Sequence, residues 1–103
     1  MTVDLDWENL GFNYSKLPFR YISYYKDGKW DEGQLTEDAT LHISEASPAL
    51  HYGQEAFEGL KAYRTKDGSI QLFRPDENAK RLQRTADRLV MPQVPVDEFV
   101  DAC

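Results

Sequence analysis

Lys61-Ala62-Tyr63-Arg64-Thr65-Lys66-Asp67-Gly68-Ser69-Ile70-Gln71-Leu72-Phe73-Arg74-Pro75 is the stretch that decides the fold class. Its Asp67-Gly68 pair supplies the positive φ of a tight turn, and Lys61–Arg64 and Ser69–Phe73 flank it as the arms of a hairpin. Pro75 then opens a helix where its missing N–H is harmless, with Asp76 and Glu77 placed against the positive end of the helix dipole. Ala79, Leu82, Ala86 and Leu89 follow at spacings of three, four and three, which draws an apolar stripe down one side. A hairpin followed by a one-faced helix predicts an α+β domain: an antiparallel sheet with helices packed on one side.

Upstream, Tyr21–Tyr25 and Trp30 flank Lys26-Asp27-Gly28-Lys29, a second Asp-Gly turn that predicts another hairpin. The two hairpins share a turn dipeptide without forming an internal repeat. Thr40-Leu41-His42-Ile43 alternates polar and apolar residues and reads as a half-buried strand. Ser44 to Pro48 reads as a loop, with Pro48 ending any regular element there. Downstream, Val96, Phe99, Val100 and Cys103 fall at i, i+3, i+4 and i+7 of an amphipathic helix with no capping glycine or asparagine after it. A terminal helix of about two turns is marginal alone in water. The expectation is a chain truncated within its domain.

At 103 residues, with 41% hydrophobic and 29% charged residues, the chain has the balance of one small globular domain spanning residues 1–103. A net charge of -6 repels a nucleic-acid backbone, so nucleic-acid binding is not expected. Met1 to Leu10 carries Asp4, Asp6 and Glu8 and no apolar run, so neither a secretory signal nor a membrane span is expected, and the cytoplasm is the default compartment. The single cysteine, Cys103, gives no internal disulfide and no thiol cluster.

The glycines at 11, 28, 33, 53, 59 and 68 make no nucleotide-binding loop, and no serine sits in a G-x-S-x-G elbow. His42 and His51 lack partners at metal-ligand spacing, so no metal is expected. Lys80, Arg81, Arg84 and Arg88 gather on the polar side of the predicted helix, where arginine suits bidentate phosphate binding. From spacing alone a solvated face is the plainer reading, and a helical wheel leaves Arg81 and Arg88 equivalent on the shoulders of the apolar stripe. Leu50 to Lys61 is rich in aromatics and glycine, a composition that suits either core packing or an apolar ligand pocket. Glu45, Glu55 and Glu58 are possible acid/base groups without a paired geometry in the sequence.

Leu50-His51-Tyr52-Gly53, Phe57-Glu58-Gly59-Leu60-Lys61-Ala62-Tyr63 and Leu72-Phe73-Arg74-Pro75 leading into Asn78-Ala79-Lys80-Arg81-Leu82 closely resemble the N-terminal motifs of branched-chain amino acid aminotransferases. These are fold-type IV, pyridoxal-phosphate-dependent enzymes, and the resemblance implies their smaller N-terminal α+β domain. It implies that Arg81, the arginine of the N-x-x-R-L motif, binds the cofactor phosphate. It also implies that Tyr52, Phe57 and Gly59 border the pocket for the branched side chain, with Phe12 of Asn9-Leu10-Gly11-Phe12 as a further pocket aromatic. Asn13 to Arg20 departs from the Asp-His-Met stretch of many such enzymes.

The same resemblance implies a homodimer or higher homo-oligomer, because the counterpart of Tyr52 reaches the neighbouring subunit's active site. Neither Lys61 nor Lys80 matches the family's catalytic position, so the Schiff-base lysine is expected beyond Cys103 and no catalytic residue within the chain. The implied reaction moves the amino group of leucine, isoleucine or valine to 2-oxoglutarate, giving branched-chain 2-oxo acids and glutamate. Competing readings are a D-amino acid aminotransferase or aminodeoxychorismate lyase on the same fold, and a non-catalytic dimerisation module. The Tyr52 to Gly59 segment resembles the branched-chain group more than those enzymes.

Overall fold

The computed structural model describes residues 6 to 103, so the first five residues of the polar N-terminal start lie outside the described residues. The chain divides into two compact units, one ending at His42 and one spanning Ile43–Cys103.

In the first unit a short 3-10 turn, Trp7–Asn9, precedes β1 (Arg20–Ile22), β2 (Tyr25–Lys26), β3 (Lys29–Trp30) and β4 (Gln34–Thr36). β2 and β3 form the expected hairpin, with Asp27 at φ 53° and Gly28 at φ 82° supplying the two left-handed residues of its turn. The Tyr25 and Trp30 rings meet edge to face across it, 5.2 Å apart. β1 pairs antiparallel with β4 in the register Arg20↔Thr36, Tyr21↔Leu35 and Ile22↔Gln34. Asp31 ties this ladder to the hairpin: its Oδ1 accepts from Ser23 Oγ at 2.8 Å, the Tyr24 N–H at 3.1 Å and the Gly33 N–H at 2.9 Å.

The strand expected at Thr40–Ile43 does not form. Thr40 is already engaged, its carbonyl accepting from Arg20 Nη2 at 2.9 Å and its N–H donating to Asp38 Oδ1 at 2.9 Å. Side chains therefore satisfy groups that a ladder would otherwise have paired.

In the second unit Pro48 begins a regular element instead of ending one: α1 spans Pro48–His51 with proline at its first position. Proline's fixed φ and missing N–H suit a helix start as well as a stop. β5 (Ala62–Arg64) and β6 (Ile70–Leu72) form the second expected hairpin, in the register Ala62↔Leu72, Tyr63↔Gln71 and Arg64↔Ile70. α2 (Pro75–Arg88) and α3 (Val96–Ala102) follow as expected and pack on each other. The chain is thus α+β with antiparallel pairing, and among the described residues that pairing is divided among three two-stranded ladders.

Ala79 and Ala86 are the buried residues of the described chain, at 1% and 4% exposure, and both belong to the expected stripe of α2. Gln83 of α2 donates to the Val94 carbonyl, just before α3, at 2.9 Å, and Gln54, after α1, donates to the Leu89 carbonyl at the end of α2 at 2.7 Å. The end of α2 closes with Met91 N–H on the Ala86 carbonyl at 2.8 Å and Val90 N–H on the Asp87 carbonyl at 3.3 Å, a Schellman pair. Its left-handed residue, normally glycine, is Val90 at φ 56°.

Candidate functional site

The basic side of α2 is divided by its partners. Lys80, one turn from the acidic start of the helix, pairs with Glu77 at 3.1 Å and Asp76 at 3.5 Å, and the Glu77 hydrogen bond leads in raising its pKa. Arg81 instead leaves its own helix and grips Glu58, in the irregular stretch between α1 and β5. Its Nε lies 2.8 Å from Glu58 Oε2 and 3.0 Å from Oε1, and Nη2 also donates to Oε1. Arg84 and Arg88 form no ion pair among the described residues. Arg84 still lies near enough for its charge to favour ionised Glu58.

The two partners of this bridge differ in environment. The Glu58 side chain is 5% exposed, whereas that of Arg81 is 61% exposed. Asn78 Nδ2, one turn before Arg81, donates to Glu58 Oε1 at 2.9 Å and to the Gly59 carbonyl at 3.1 Å. The Arg81 hydrogen bond, with help from Asn78, holds the Glu58 carboxyl below the usual carboxylate range against the opposing effect of burial. Glu58 in turn raises the Arg81 pKa.

Glu58 occupies the Nε–Nη2 edge of the guanidinium and leaves the Nη1 edge without a hydrogen bond among the described residues. Glu58, Arg81 and Arg84 together carry a net positive charge. An exposed, pre-oriented guanidinium edge with a second cation nearby fits a phosphate group of nearly two negative charges.

Other sequence candidates fall around the clamp or outside it. Phe57 and Gly59 flank Glu58 directly, and Tyr52 caps the C-terminus of α1 with its N–H on the Pro48 carbonyl at 2.8 Å. The Tyr52 and Phe57 side chains are both 89% exposed, so neither ring is spent on the unit's own packing. A Cβ on Gly59 would meet nothing within 4 Å, and its φ is not left-handed. Nothing among the described residues therefore demands glycine there. Phe12 belongs to the first unit and is fully exposed.

No group of acidic, histidine or cysteine side chains among the described residues is arranged to hold a metal ion. No helix among them is long and apolar enough to cross a membrane. Glu58, in the sequence only a possible acid/base group, is the partner of Arg81. The two are 23 residues apart, with no local spacing to link them.

The sequence was compared with known proteins. No family model matches the chain. It is 70% identical over 100 residues to a branched-chain-amino-acid aminotransferase of Haemophilus influenzae, and 56% identical over 100 residues to that of Helicobacter pylori. A methionine aminotransferase of Arabidopsis thaliana is 45% identical over 101 residues. Each comparison covers 97% of this chain, but the chain spans only 29% of the two bacterial proteins and 28% of the plant one. The class these similarities define is the aminotransferases. Within it, the chain is similar over nearly its whole length to branched-chain-amino-acid aminotransferases.

Proposed function

We propose that this chain is the N-terminal part of a pyridoxal-phosphate-dependent enzyme that moves the amino group of leucine, isoleucine or valine to 2-oxoglutarate. The observation carrying the reading is that Arg81, in a segment 70% identical to such an aminotransferase, is the arginine of α2 held by a carboxylate whose side chain is 5% exposed, with one edge left open. Arg81 would bind the cofactor phosphate through that edge. Tyr52, Phe57 and Gly59, with Phe12, would border the substrate's aliphatic side chain, aromatic rings giving rigid apolar walls and glycine allowing close approach.

When bound, pyridoxal phosphate supplies the electron sink for amino-group transfer. The part played by residues 1–103 is to anchor and to exclude water, while the lysine that carries the cofactor belongs to a larger domain of the full-length protein. Residues 1–103 belong to the small N-terminal domain and stop within it, the protein acts in the cytoplasm, and it works as a homodimer or higher homo-oligomer.

In the full-length protein, Arg81→Ala is expected to weaken pyridoxal phosphate binding by about 1.5–3 kcal/mol, the scale of a hydrogen bond to a charged group, or tenfold to a hundredfold. Equilibrium titration of the apo-protein measures this, and unchanged affinity rejects the assignment. Assays with leucine, isoleucine and valine against 2-oxoglutarate test the substrate class. Absence of transfer from all three rejects that part of the reading.

A further inference from the structure

We propose that Glu58 is a positioning residue for the cofactor phosphate, acting through Arg81. The proposal rests on the reading of Arg81 as the phosphate ligand. Three observations carry it. The Glu58 side chain is 5% exposed while its partner is 61% exposed, so the carboxylate is the fixed member of the pair. It is fixed from a second side, since the Asn78 amide bridges Glu58 Oε1 and the Gly59 carbonyl. And it engages the Nε–Nη2 edge of the guanidinium, which directs the Nη1 edge outward.

An unclamped arginine samples many rotamers and loses that freedom when it meets a phosphate. A carboxylate held from two sides removes this freedom before the ligand arrives, which is how pre-organisation strengthens binding. The cost is one negative charge beside an anion site. Arg84, whose charge already acts on Glu58, restores a net positive field. Orientation therefore outweighs repulsion. Because Glu58 lies between Phe57 and Gly59, the same clamp fixes the phosphate anchor relative to the backbone of the proposed substrate wall.

The test compares pyridoxal phosphate with pyridoxal, which lacks the phosphate, as ligands of the full-length apo-protein carrying Glu58→Gln, Arg81→Ala or both. Glu58→Gln is expected to weaken pyridoxal phosphate about tenfold and pyridoxal less than twofold. In the Arg81→Ala background it is expected to have no further effect on either. The ratio of the two affinities is internal to each variant, so a modest loss of stability does not obscure it. An equal loss for both ligands, or unchanged or tighter pyridoxal phosphate binding, overturns the positioning role while Arg81→Ala still loses phosphate selectivity. An Arg81→Ala variant with unchanged selectivity overturns the phosphate reading as well.

Discussion

Glu58 is ionised in a place where burial alone would favour the neutral acid, because Arg81 and Asn78 stabilise its charge. Its folded pKa lies below the unfolded value, so the folded state binds fewer protons in mild acid. The resulting stability is present above the ordinary value of 4.5 and is lost as pH falls through the lower folded value. Glu58→Gln is expected to flatten the acid limb of the stability curve below about pH 4. Urea denaturation across the acid range measures it, and identical limbs in both proteins would count against the clamp. Val90 offers an opposite case, a β-branched residue at φ 56° with 88% of its surface exposed. The left-handed region costs such a residue roughly 1–2 kcal/mol, and glycine's greater unfolded-state freedom returns about half of that. Val90→Gly should therefore raise stability by about 0.5–1 kcal/mol, seen as a higher thermal midpoint. A lower midpoint would show that the valine makes an unrecognised contact.

Among the elements, the β5–β6 hairpin has the clearest electrostatic signature. The Asp67 carboxylate accepts from the Thr65 hydroxyl and from the Ser69 N–H at 3.0 Å, and these bonds, Thr65 first, lower its pKa to about 2. Its stabilisation of the turn is present above the ordinary aspartate value of 3.8 and disappears as pH falls to about 2. An NMR titration of the Asp67 carboxyl should show a midpoint near pH 2, and a midpoint near 3.8 would mean that the turn bonds do not persist in solution. This hairpin was legible in the sequence because everything that makes it is local: Asp-Gly at the turn and short arms beside it. The β2–β3 hairpin, α2 and α3 were legible for the same reason. The β1–β4 ladder was not, since Arg20↔Thr36 is a pairing across a whole hairpin that no local pattern encodes. At Thr40–Ile43 the alternation was real but the partner strand was missing, and at Pro48 one residue type served two opposite signals. Of the candidate site, the basic face of α2 was legible. The choice of Arg81 over Arg88 came from resemblance, and the pairing of Arg81 with Glu58 emerges only in the fold, because 23 residues separate the two.

At the scale of the whole molecule, the described residues bury almost nothing large. Tyr52, Phe57, Phe73 and Val90 are each more than 80% exposed in the second unit, while its buried residues are two alanines. In the proposed full-length protein these apolar side chains are available to meet a ligand or further polypeptide. The isolated 103-residue chain is expected to bind the dye ANS strongly, and the full-length protein to bind it weakly; equal weak binding by both would contradict that view. The clamp has a further consequence, for the order of assembly. Glu58 and Arg81 are 23 residues apart in the chain, and closing so wide a loop carries an entropic cost that grows with its length. The β5–β6 hairpin lies inside that interval and brings Ala62 beside Leu72, so once it has formed the remaining loop is much shorter. A local turn thereby lowers the entropic cost of a distant ion pair, so the Asp67-Gly68 dipeptide bears on how readily the Glu58–Arg81 clamp closes.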